Sequence, residues 1–214
     1  MALLRLNTQD AVVDEEARLE ALGIELLDEP RHPAVWAECL NVAKRLRLSG
    51  RQVVGLWPAD DAIGVPSLAV QVGLALADLA STTVAFLDAN ARWPAARALI
   101  GKREAEASTQ DEDAAYTTLW LRGMVALLIP RSVGAAGESL TRLRGTLEDA
   151  RPLFGAIFVD MTGFDVLGDH LNVMELLEGV AIVAAAGRTT DEEVLELARQ
   201  VPPGRLIGAV LVGS

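Results

Sequence analysis

The sequence predicts an α/β protein of three layers: a mostly parallel central sheet flanked by helices. Apolar runs of four to seven residues recur at Val53–Trp57, Val84–Asp88, Val125–Ile129, Ala156–Asp160, Val180–Ala184 and Leu206–Val212. They are unbroken rather than alternating, as strands covered on both faces are. Helical patterns separate most of them, at Ser67–Ala80, Glu138–Ala150, Gly168–Leu177 and Asp191–Gln200, and strands alternating with helices build a parallel sheet. One more helix precedes the first strand, at Ala34–Leu48, where Val35, Trp36, Cys39, Leu40, Val42, Ala43 and Leu46 keep helical spacing and Gly50 ends it. The polar stretch Ala98–Thr118 reads as a loop with a short helix.

The first 30 residues hold eight carboxylates against Arg5 and Arg18. Ala11–Leu27 has apolar residues near helical spacing before Pro30 and Pro33 break the chain. Residues 1–32 are therefore expected to form an acidic arm with a helix, either docked on a neighbour or solvated, and residues 33–214 the α/β domain.

Composition narrows the function. The 214 residues carry a net charge of −11, which argues against a nucleic-acid surface built from clustered Lys and Arg. No apolar run reaches the roughly 20 residues of a membrane span, and the N-terminus has no secretory pattern. The lone Cys39 can form no internal disulfide and is expected as a small core residue. A cytoplasmic location is the expectation. There are only two lysines, Lys44 and Lys102.

Ligands of a parallel α/β sheet sit at the carboxyl ends of its strands. After the first strand come Trp57-Pro58-Ala59-Asp60-Asp61-Ala62-Ile63-Gly64-Val65-Pro66-Ser67 and then a helix. This is the strand–loop–helix order of a phosphate-binding loop, which needs glycines for close amide approach, a lysine for the phosphates and a Ser or Thr for Mg²⁺. Asp88 ends the second strand and is followed by Ala89-Asn90-Ala91-Arg92-Trp93-Pro94; Asp160 ends the strand Ala156–Asp160. Acidic residues so placed commonly hold Mg²⁺ through water.

In this order the parts resemble the MinD/ParA-type P-loop ATPases, and most of all the bacterial tyrosine kinases of polysaccharide export. Ala69–Ala77 resembles the helix after their phosphate loop, Asp88-Ala89-Asn90-Ala91-Arg92 their second motif with Asn90 replacing its second Asp, and Asp160 the end of their third. Gly187-Arg188-Thr189-Thr190 with the final helix and strand, and Pro33–Leu48, resemble the flanking elements, so the likeness covers roughly residues 33 to 212. It implies a P-loop NTPase fold and a nucleotide pocket at Gly64, Val65, Pro66, Ser67, Asp88, Asn90, Arg92 and Asp160.

The departures from that pattern concern its chemistry. Aligned through Ala69–Ala77, Gly64 takes the loop glycine, Val65 replaces the lysine and Pro66 the Mg-binding hydroxyl. Ser67 could stand in only with a one-residue slip. Asp60 and Asp61 place two negative charges where a triphosphate would lie, a repulsion on the order of several kcal/mol. The only tyrosine is Tyr116 and the sequence runs to Ser214, so no tyrosine tail is expected as a phosphorylation substrate.

Each candidate also has a plainer role. Asp88 and Asp160 can cap turns, and Arg92 can pair with either. Trp57 and Trp93 flank the pocket and could stack on a base, though Trp93 beside Pro94 suits packing; Trp36 and Trp120 suit core or subunit contacts. Arg142 and Arg144 suit a solvated helix face and His32 the surface, and Asp165, Asp169 and His170 match no strong metal spacing. With two histidines and one cysteine, a triad-type nucleophile has no support.

The expectation is a catalytically inactive ATPase-like domain, serving as a protein-binding scaffold, localisation or assembly factor, as TadZ-like pilus proteins of the wider group do. No catalytic residue, metal or cofactor is expected. By resemblance its partner would be an export, motility or polarity protein, or a second copy. The alternative is an atypical ATPase or kinase using Arg92, Ser67 and Asp160 in altered roles.

Overall fold

The computed structural model describes Leu19 and residues 32–89, 116–130, 136–164 and 170–213. In chain order the elements are α1 (Pro33–Leu48), β1 (Val53–Pro58), α2 (Val65–Ala80), β2 (Val84–Asp88), β3 (Tyr116–Leu121), β4 (Val125–Pro130), α3 (Ala136–Ala150), β5 (Ala156–Asp160), α4 (His170–Leu176), β6 (Gly179–Ala185), α5 (Asp191–Gln200) and β7 (Leu206–Val212).

Seven strands form one sheet in the order β3-β4-β2-β5-β1-β6-β7. All neighbours are parallel except β3 and β4. The chain moves out from β1 to β2 and β4, returns to β5, then passes to β6 and β7 on the other side. That reversal brings the carboxyl ends of β1, β2 and β5 together, the place where such sheets hold ligands. Strands β1, β2, β4, β5 and β6 are buried throughout, which explains their unbroken apolar sequence.

Alternation along the strands divides the core in two. On one face Val54, Leu56, Phe86 and Phe158 pack with Ala43 of α1 and Val70 and Leu74 of α2. On the other, Trp57, Leu87 and Val159 pack with Leu143 of α3 and Val173 of α4. This is the three-layer sandwich expected. Leu19 is buried in the α1–α2 core; the rest of the acidic arm up to Arg31, with its expected helix over Ala11–Leu27, lies outside the described residues.

β3 corrects the sequence reading. The loop assigned to Ala98–Thr118 gives way at Tyr116 to an antiparallel edge strand paired with β4, from Tyr116↔Pro130 to Leu121↔Val125. The two strands are joined by a turn in which the Met124 amide donates to the Leu121 carbonyl at 2.9 Å. Its central residues, Arg122 and Gly123, have φ of 49° and 65°, the left-handed pair that a type I′ hairpin turn requires.

Cys39 is buried, and burial pushes its thiol up, with Glu38 adding to the effect. α5 starts on a capping box, with the Glu193 amide donating to Thr190 Oγ1 and the Thr190 amide to Glu193 Oε2. Arg144 is exposed as expected, and Arg142 is half-buried.

Candidate functional site

The loop after β1 runs over Ala59–Gly64 and enters α2 at Val65. A phosphate-binding loop works by pointing successive amides outward at one anion. Here four of the amides point elsewhere. Ala59 donates to the Val183 carbonyl of β6 at 2.9 Å, and Ala62 to Asp60 Oδ1 at 2.8 Å. Ile63 donates to the Asp60 carbonyl at 3.0 Å, and Val65 to the Ile63 carbonyl at 2.8 Å. Pro58 and Pro66 have no amide hydrogen to offer. The Asp60 side chain thus organises the loop around itself as an Asx turn.

Asp60 also pairs through Oδ2 with Arg188, which follows β6. The hydrogen bond from Ala62 and then the Arg188 guanidinium hold its carboxyl below the usual carboxylate range. This corrects the expectation of two uncompensated charges in the loop, because Arg188, 128 residues away in sequence, offsets one of them. Asp61 is exposed and lies close enough to Asp160 to act on it.

Val65, which the sequence resemblance sets in place of the lysine, is fully buried in the α1–α2 core. Pro66 and Ser67 are half-buried in the first turn of α2, where proline is comfortable. Gly64 is the N-cap with φ −72°. A methyl group there would meet nothing closer than Ser67 Cβ at 3.9 Å. Neither backbone conformation nor space demands glycine. Gly64→Ala should cost no more than about 1 kcal/mol, the preference of an N-cap for glycine over alanine, as thermal unfolding would show.

Asp88 and Asp160 are register partners across β2 and β5, and Leu56 of β1 is level with Asp160. Val84, Phe86, Ala156 and Phe158 face the α1–α2 core, so by two-residue alternation both aspartates stand on the loop's side of the sheet. Both are fully buried. Asp160 Oδ1 accepts from the Thr162 amide at 2.9 Å and from its hydroxyl at 2.5 Å, while Oδ2 has no partner. Burial pushes this carboxyl up to about 6; the Thr162 bonds oppose the shift and Asp61 adds to it. Tyr116 lies close enough to Asp88 to feel its charge. Burial pushes its phenol up to about 12, opposed by a hydrogen bond with Thr146 and by Arg142.

The structure therefore brings Gly64, Val65, Pro66, Ser67, Asp88 and Asp160 to one end of the sheet. Asn90 and Arg92 lie outside the described residues, as do Trp93, Asp165 and Asp169. Trp57 is not available to stack on a base. It is buried on the opposite face of the sheet, with its ring stacked on His170 at 5.6 Å. Trp120 packs on Phe154 at 5.8 Å, and Trp36 packs on the α1–α2 core. Among the described residues no group of acidic, His or Cys side chains could hold a metal ion by itself, and no helix is long and apolar enough to cross a membrane.

A central β1, a loop and helix after it, and aspartates ending β2 and β5 on the same face define a three-layer α/β fold of the P-loop NTPase kind. More narrowly, the chain carries the fold of bacterial tyrosine kinase domains. The chimeric protein CapA2B2 matches with a TM-score of 0.66 at 14% identity, over 92% of this chain and 97% of that one. The BceF tyrosine kinase domain matches with a TM-score of 0.66 at 17% identity, over 95% and 89%. The kinase domain of the Escherichia coli tyrosine kinase ETK matches with a TM-score of 0.64 at 21% identity, over 81% and 75%. No protein-family model and no curated protein matches the sequence. At these identities the likeness is one of fold.

Proposed function

We infer that the chain is a pseudo-ATPase, a tyrosine-kinase-like domain kept as a protein-binding scaffold, localisation or assembly factor. The observation that carries this reading is the loop after β1. Three of its amides and that of Val65 are bonded elsewhere, prolines bracket it, and the residue that the resemblance aligns with the lysine is a buried valine. Binding a triphosphate there would require breaking the Asx turn and drawing phosphate oxygens toward Asp61 and Asp160. The loop therefore does not fit Mg-ATP. What such a domain keeps is a rigid, acidic body for contact with a protein partner, which by fold likeness would be a component of export, motility or polarity.

The experiment is thermal unfolding with millimolar ATP or ADP, with and without Mg²⁺. A ligand that binds only the native state raises its stability by RT ln(1 + [L]/Kd). No rise is expected, and a Mg-dependent rise of several degrees would overturn the reading.

One observation favours the second reading, an atypical nucleotide-binding enzyme. The unpartnered Oδ2 of buried Asp160 is the kind of group that native proteins tend to explain by function. That reading requires Mg²⁺ alone, at millimolar concentration, to raise the melting temperature of the wild type but not of Asp160→Asn.

A further inference from the structure

We propose that the outer edge of β7, unpaired among the described strands, joins a second copy of the chain in an antiparallel, two-fold pair, with Val210 on the axis. The inference goes beyond the pseudo-ATPase reading and does not depend on it, because β7 lies at the opposite side of β1 from β2 and β5.

The strand itself makes the first argument. β7 is Leu206-Ile207-Gly208-Ala209-Val210-Leu211-Val212 and bonds only to β6 among the described strands. It has no charge and no proline, the usual guards of an open edge. It is incompletely covered, with Leu206 at 42% and Leu211 at 69% exposure. The Val212 carbonyl points inward, accepting from the Ala186 amide. The strand's two-residue repeat then turns the N–H and C=O of Ala209 and Leu211 outward. An antiparallel copy centred on Val210 sets Ala209 opposite Leu211 of the other chain, twice, so these groups pair with one another. The bulge at Ile207–Gly208, where the β6 register shifts and Gly208 has φ +151°, lies outside that pairing.

Charge makes the second argument and selects the partner. A groove of about 720 Å³ runs between α1 and β7. Because α1 leads into the start of β1, it runs opposite to the parallel strands. Glu38 therefore lies toward the end of β7, beside Val210–Gly213, while Lys44 and Arg45 lie toward its start. All three are exposed, and none forms an ion pair with a described residue. A two-fold axis through Val210, perpendicular to the sheet, keeps both copies of α1 on one face and reverses them. Glu38 of each copy then meets Lys44 and Arg45 of the other, at both ends of the joint. Opposite charges placed this way fix register and choose the partner, and a self-complementary two-fold contact closes at two copies rather than propagating.

The test is sedimentation equilibrium on the full chain from micromolar to submillimolar concentration. A monomer–dimer equilibrium is expected. Leu211→Lys, and separately Ala209→Pro, which removes an outward amide hydrogen, should each weaken it on the order of tenfold or more with native unfolding curves. Glu38→Lys and the double variant Lys44→Glu/Arg45→Glu should each weaken self-association, and an equimolar mixture of the two should restore dimers. A monomeric wild type across the range would overturn the proposal. So would a dimer indifferent to all of these changes, which would place the contact elsewhere, for instance across the nucleotide face.

Discussion

Val65→Lys, combined with Pro66→Ser to rebuild the lysine and hydroxyl of a working loop, is expected to destabilise the protein by about 3–5 kcal/mol without creating nucleotide binding. The first effect follows from burial. Val65 has no exposed surface and packs in the α1–α2 core, so an ammonium there is either stripped of water or displaces the start of α2. The second follows from the loop. The amides of Ala59, Ala62 and Ile63 are bonded to oxygens of Val183 and Asp60, which neither substitution removes. Denaturant unfolding gives the first quantity and nucleotide titration the second. A stable variant that binds Mg-ATP would mean that the loop was two substitutions from function and that its internal bonds yield easily.

Asp160→Asn is expected to stabilise the protein at neutral and alkaline pH. The folded-state pKa of about 6 stands above the ordinary value of 3.8, so the native state holds the proton more tightly than the unfolded chain does. Stability from this group is full below the ordinary value and is lost as pH rises through about 6. Removing the ionisable group removes that loss, so the variant should gain up to about 3 kcal/mol at about pH 8 and little at about pH 4. Urea unfolding at the two pH values measures the difference. A variant less stable than wild type at high pH would show that the ionised carboxylate is held by a cation, as the enzyme reading needs.

The fold was legible because burial on both faces writes itself as unbroken apolar sequence. Val84–Asp88, Ala156–Asp160 and Leu206–Val212 are strands with the bounds the pattern predicts, and β1, β4 and β6 differ only by a residue at their ends. β3 escaped because an antiparallel edge strand keeps polar residues, here Thr117 and Thr118, and breaks the run. Its signal was the β-branched and aromatic series Tyr116–Leu121 followed by Arg122-Gly123, a hairpin turn in sequence form. At the site, the placing of Asp88 and Asp160 at one end of the sheet was legible, since each ends a strand of a parallel sheet; that their strands are neighbours was not. The pairing of Asp60 with Arg188 and the diversion of the loop amides were not, because they join residues distant in sequence or depend on backbone directions that composition does not encode. Nor did the sequence show which way Trp57 faces. That depends on strand register, which sets it behind the sheet against His170.

The most direct test of the central claim, that this loop does not hold Mg-ATP, is calorimetric titration of the purified chain with ATP and with ADP, each with and without Mg²⁺. The account predicts no binding heat at any concentration up to the millimolar range. Saturable, Mg-dependent heat with micromolar affinity would contradict it and make Asp160 a working residue of an enzyme.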